Sequence, residues 1–162
     1  MFKINDYIMY GTTGICKVID IVEEKDRNFI KKEYYVLNHI YENNTIIKIP
    51  TDNTKIFMRK ILSKEEVEDI VENEKLSELI WIDSERQRNE SFKALVKTGD
   101  FSNWVKLVRS ITAKKKEKNA LGKKLTQSDE IIMKNSEKLL FEELSIIFAF
   151  NEKEAYKYIL NL

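Results

Sequence analysis

The apolar positions of this chain change period once, near residue 62. Before that point they alternate or bunch in short runs, as strands require; after it they recur at the three- and four-residue spacing of helices. Asp6 to Tyr10 is short and rich in β-formers, and Gly11-Thr12-Thr13-Gly14 offers two positions free to adopt positive φ in a turn. Strict alternation from Ile15 to Val22 places Ile15, Ile19 and Ile21 on one face with Lys17. It places Cys16, Val18 and Val22 on the other with Asp20, so both faces are expected to be partly covered, as in a small barrel. Glu24 to Asn28 reads as a charged loop, Tyr34 to Ile40 as the next strand and Asn43-Asn44 as a tight hairpin. Thr45 to Ile49 is the returning strand, stopped by the single proline, Pro50. A last short strand is expected at Lys55 to Met58.

Ser63-Lys64-Glu65-Glu66 is a capping box opening a helix through Val67, Ile70 and Val71. A second helix is expected to start at Ile80 or Trp81, to carry Phe92, Leu95 and Val96 on one face and to end at Gly99. Asp100 caps a third, with Trp104, Val105, Val108 and Ile111 as its core stripe; Lys114 to Lys118 extends it into solvent, and Ala120 to Leu125 is a loop. Thr126 caps a fourth, with Asp129 and Glu130 in its first turn and Met133, Leu140, Leu144 and Ile147 inward. Asn151 to Glu154 is a second capping box, before a terminal helix with Ala155, Ile159 and Leu160 inside. The predicted fold class is α+β. Residues 1–61 form an N-terminal small antiparallel β-barrel, SH3-like or Tudor-like, and residues 62–162 a C-terminal all-α helical domain.

Composition narrows the function. With 43% hydrophobic residues, eight Phe and seven Tyr, a packed core is expected, and 34% charged residues give a well-solvated surface. Cys16 is the single cysteine, which excludes an intramolecular disulfide and suits a reducing compartment. No apolar run approaches the ~20 residues of a membrane span, and the N-terminus MFKINDY lacks the apolar core of a signal peptide. A cytoplasmic protein with no membrane partner is expected.

The formal charge of +1 conceals a polarised chain. From Ser63 to Glu85 nine acidic residues face only Lys64 and Lys75; from Arg86 to Lys124 twelve Lys/Arg face only Glu90, Asp100 and Glu117. Concentrated positive charge is what a polyanion such as nucleic acid meets. Catalysis has no comparable foundation. His39 lies in a strand with no second histidine or nucleophile near it, Cys16 is isolated, and the carboxylates sit at helix starts where capping explains them. No catalytic cluster, metal site or cofactor is expected, and the chain is read as a non-enzymatic binding protein.

One ordered set of residues goes further: Phe2 to Tyr10, Gly14, Glu33 to Leu37, Ile47 to Pro50 and Arg59 to Ser63, then Arg88, Gly99-Asp100, Val108-Arg109, Asp129-Glu130, Leu139-Leu140 and Glu143-Leu144. This order, spread over two unlike domains and nearly the whole chain, resembles the CarD/CdnL/TRCF family. The resemblance implies a bacterial transcription regulator. Its Tudor-like domain would bind the RNA polymerase β subunit, and its helical domain would touch promoter DNA near the upstream edge of the melted bubble, tuning open-complex stability.

Lys48 falls where the family places a basic polymerase-contacting residue, and Lys25 and Arg27 lie on the loop that carries neighbouring contacts. On the DNA side, Arg86, Arg88, Lys93 and Lys97 can supply phosphate contacts that position the domain without reading sequence. Trp81 is the candidate for the wedge the resemblance implies, since Trp104 fits a helical core stripe. The alternative is a polymerase-binding adaptor whose helical domain does not contact DNA. Oligomeric state is left open, with a monomer favoured.

Overall fold

A computed structural model of the chain describes residues 1–42, 44–73 and 78–161. The chain divides into two compact units, Met1–Ile61 and Leu62–Leu162. The first is a five-stranded sheet of β1 (Tyr7–Tyr10), β2 (Gly14–Lys25), β3 (Lys31–His39), β4 (Ile46–Pro50) and β5 (Met58–Lys60), in the order β4-β3-β2-β1-β5. Every pairing is antiparallel. The α+β class is as expected, but the barrel is an open sheet: β4 pairs with β3 and β5 with β1, so both remain edges.

Strict alternation fails at one place in β2. The ladder pairs Val18 with Leu37 and then Asp20 with Val36, so Ile19 is an extra, bulged residue. Beyond the bulge the facing of side chains is offset by one. Ile21, not Val22, therefore packs with Ile8, Tyr10, Cys16, Val18, Tyr35, Leu37 and Ile49 in the core, while Ile19 is exposed. The β2–β3 hairpin is also longer than expected. Its ladder runs out to Lys25↔Lys31, leaving Asp26 to Ile30 as the connection. At the other end, Gly11 and Gly14 both take positive φ in the β1–β2 turn. The expected Asn43-Asn44 hairpin lies partly outside the described residues, and β5 starts at Met58 rather than ending there.

The second unit comprises α1 (Lys64–Glu72), α2 (Glu85–Lys97), α3 (Phe101–Ala120), α4 (Gln127–Phe148) and α5 (Glu152–Ile159). Local chemistry sets most of the boundaries. The hydroxyl of Ser63 accepts from the Glu66 amide and the Glu66 carboxylate from the Ser63 amide, and Asn151 and Glu154 repeat the arrangement. Asp100 caps α3 through the Ser102 amide at 2.8 Å, just after Gly99 at φ 72° ends the preceding segment. Trp104 is fully buried, its indole N–H donating to the Val96 carbonyl at 3.0 Å. Arg109, on α3, is buried too. Its guanidinium donates to the Ile159 carbonyl at 2.7 Å and the Val71 carbonyl at 3.2 Å, so one cation meets the last turns of both α5 and α1. Burial draws its pKa below the ordinary arginine value.

Candidate nucleic-acid interface

The second helix starts at Glu85, with Ser84 as its N-cap, and not at Ile80 or Trp81. Trp81 therefore lies in the non-helical segment before it. Three hydrogen bonds fix this segment: the Ile80 amide donates to Ser110 Oγ at 2.8 Å, and Arg88 Nη1 donates to the Ile82 carbonyl at 2.8 Å and the Asp83 carbonyl at 3.3 Å. The half-buried Trp81 ring is bordered by Phe92, edge-on at 6.1 Å, and by three cations. Arg88 Cζ lies 4.3 Å, Lys114 Nζ 5.3 Å and Lys118 Nζ 5.8 Å from its centroid. An aromatic plane and three cationic side chains, two of them also paired with carboxylates, thus occupy one spot on the helical unit.

Helical phase sorts the predicted phosphate contacts. Arg86, Lys93 and Lys97 stand at i, i+7 and i+11 on one exposed stripe of α2, with Glu90 between them at 3.5 Å from Arg86. Neither Lys93 nor Lys97 makes an ion pair among the described residues. Arg88, at roughly 100° of turn per residue, falls on the opposite, buried face beside Phe92 and Val96. It is 3% exposed and forms a bidentate pair with Asp129, Nε to Oδ1 at 2.8 Å and Nη2 to Oδ2 at 2.9 Å. Asp129 Oδ2 also accepts from Thr126 Oγ1 at 2.9 Å. Arg88 is thus removed from the set of phosphate contacts. Its guanidinium is consumed by Asp129 and two carbonyls, and it holds Trp81 in place.

Lys114 and Lys118 border Trp81 although in the sequence their run reads as a solvated helix end. Their i, i+4 spacing is the signal that both sit on one face of α3. Lys114 also pairs with Glu117 at 3.2 Å, and Lys115 with Glu130 at 3.5 Å.

On the first unit, Lys25 and Arg27 are exposed at the far end of the β2–β3 hairpin. Lys48 is on the edge strand β4 and forms an ion pair with Glu24 of β2, which ties it to the same hairpin. A strand with a free edge can take a partner's strand through main-chain hydrogen bonds. Among the described residues no three His, Cys, Asp or Glu side chains converge on a point, and no helix is long and apolar enough to cross a membrane.

Residues 2–62 match the CarD-like/TRCF RID domain, so the first unit is a CarD-like domain. The chain as a whole is similar to "Putative transcription factor YdeB" of Bacillus subtilis (strain 168), with 28% identity over 159 residues, covering 95% of this chain and 97% of that protein. Domain and relative together support a role in transcription.

Proposed function

We propose that the protein binds the RNA polymerase β subunit through its CarD-like unit and contacts promoter DNA through its helical unit, near the upstream edge of the bubble, tuning the lifetime of the open complex. The observation that carries the DNA half is Trp81 held among Arg88, Lys114 and Lys118, with the exposed Arg86, Lys93 and Lys97 stripe on the other face of α2. Phosphate-binding cations position a protein on duplex DNA without reading sequence, and an aromatic plane favours a kinked or unstacked step. Each contact is weak alone. Joined in one chain, the polymerase contact raises the effective concentration of the DNA contact, so sequence-independent binding suffices.

The protein stabilises the melted promoter only if it binds that state more tightly than the closed one. The test is the lifetime of open complexes challenged with competitor, with no protein, wild type and Trp81→Ala. Wild type is expected to change the lifetime and Trp81→Ala to remove most of that change. An unaltered effect in Trp81→Ala would eliminate the wedge, and no effect of wild type would eliminate the regulator. The adaptor reading draws on the packing of Trp81 against Phe92 and Arg88, which occupies part of the ring. It predicts polymerase binding that is indifferent to Trp81.

A further inference from the structure

We propose that Phe29, at the tip of the β2–β3 hairpin, is the apolar anchor of the first unit's protein interface, inserting into an apolar pocket rimmed by carboxylates on the partner. The inference rests on the reading that this unit binds polymerase, and adds a residue and a partner chemistry to it. Phe29 is 82% exposed and has φ +59°. A bulky residue in the left-handed region is an outlier, and a hairpin connection of this kind ordinarily puts Gly or Asn there. The chain therefore retains a strained, solvated aromatic where glycine is the unstrained choice, and such strain marks a residue kept for something other than the fold.

The tip is built rather than loose. Asp26 Oδ1 accepts from the Asn28 amide at 2.8 Å and the Ile30 amide at 3.0 Å. The Asp26 amide donates to the Ile30 carbonyl at 2.8 Å, and the Phe29 amide to the Asp26 carbonyl at 3.0 Å. A ring presented on such a frame loses little freedom on binding.

Charge around the tip selects the partner. Lys25 and Lys31 are directly opposite each other in the ladder, a like-charge pairing that disfavours the hairpin itself, and Arg27 stands between them in sequence. Neither Lys25 nor Arg27 makes an ion pair among the described residues, while Lys31 reaches Glu23 at 3.3 Å. The hairpin also projects past its neighbours: β1 pairs with β2 only as far as Lys17, and β4 with β3 only from Tyr34. Every residue from Arg27 to Glu33 is exposed. An exposed ring close in sequence to two unpaired cations, Lys25 and Arg27, fits an acidic protein surface with an apolar pocket. A lipid surface, which shares the preference for cations and apolar rings, is the outcome to be excluded.

The experiment measures binding of full-length wild type, Phe29→Gly and Phe29→Leu to bacterial core RNA polymerase and to its β subunit, with thermal melts and co-sedimentation on anionic phosphatidylserine vesicles. Phe29→Gly is expected to melt at the wild-type temperature or a few degrees higher, because glycine relieves the positive φ, while polymerase affinity drops on the order of tenfold. Phe29→Leu is expected to keep most of the affinity. Equal affinity of wild type and Phe29→Gly would overturn the anchor, as would a lowered melting temperature in Phe29→Gly, which would make the ring a packing element. Vesicle binding by wild type that Phe29→Gly loses would replace the protein partner with a membrane. Failure of wild type to bind polymerase would instead remove the functional reading itself, and the anchor with it.

Discussion

At the scale of single residues, Arg88 carries the largest lesson. Its charge and its place in a basic stretch suggest a phosphate contact, yet its side chain is buried against Asp129 and beneath Trp81. Half of this was legible in the sequence, since helical phase separates Arg88 from Arg86, Lys93 and Lys97. The partner, 41 residues away on α4, was not. Removing one member of a buried, hydrogen-bonded pair strands the other, at a cost of roughly 3–5 kcal/mol. Arg88→Ala is expected to lose that much stability in urea unfolding followed by far-UV circular dichroism, and to shift Trp81 emission to the red. Arg88→Lys is expected to lose much of it as well, since an ammonium cannot span both Asp129 oxygens and the two carbonyls. Arg86→Ala, on the exposed stripe, is expected to stay within about 0.5 kcal/mol of wild type.

At the scale of elements, what is locally encoded was readable and what depends on a neighbour was not. The caps at Ser63, Asp100, Thr126 and Asn151 each rest on a side chain two or three residues from the amide it accepts. The bulge at Ile19 arises from the pairing of β2 with β3, and no local pattern announces it. The corrected register has a direct test. Ile21→Ala removes a side chain packed on the core and is expected to cost about 1–2 kcal/mol, whereas Val22→Ala, on the other face, is expected to cost less than about 0.5 kcal/mol. Denaturant midpoints would compare them, and equal costs would favour the unbulged register.

Glu137, on α4, gives the helices a pH signature. Burial raises its pKa above the ordinary value of 4.5, against the lowering effect of Lys115 and Lys134. The native state thus holds this proton more tightly than the unfolded chain, so this group's contribution to stability declines as pH rises from 4.5 through the folded pKa. Glu137→Gln is expected to remove that decline, flattening the melting temperature between pH 4.5 and neutrality relative to wild type.

At the scale of the whole molecule, a formal charge of +1 describes neither part of it. Carboxylates gather on α1, with Glu65, Glu66, Glu68, Asp69 and Glu72, while α2 and α3 carry the lysines and arginines, and only the latter suit a phosphate backbone. If Lys93 and Lys97 touch duplex phosphate in the promoter complex, each releases counterions, and each contributes about 0.9 to the slope of log affinity against log salt. The double variant Lys93→Ala/Lys97→Ala is therefore expected to weaken binding to a preformed polymerase–promoter complex and to reduce the magnitude of that slope by about 1.8. Binding to polymerase alone should keep its own salt dependence, because the CarD-like unit is unaltered. Replacing Glu65 and Glu68 by Gln is the control for net charge: it makes the chain more basic without adding a phosphate contact, so the slope should remain that of wild type. A slope unchanged in the lysine variant but steeper in the glutamine variant would mean that the field of the unit as a whole, and not the α2 stripe, draws the DNA.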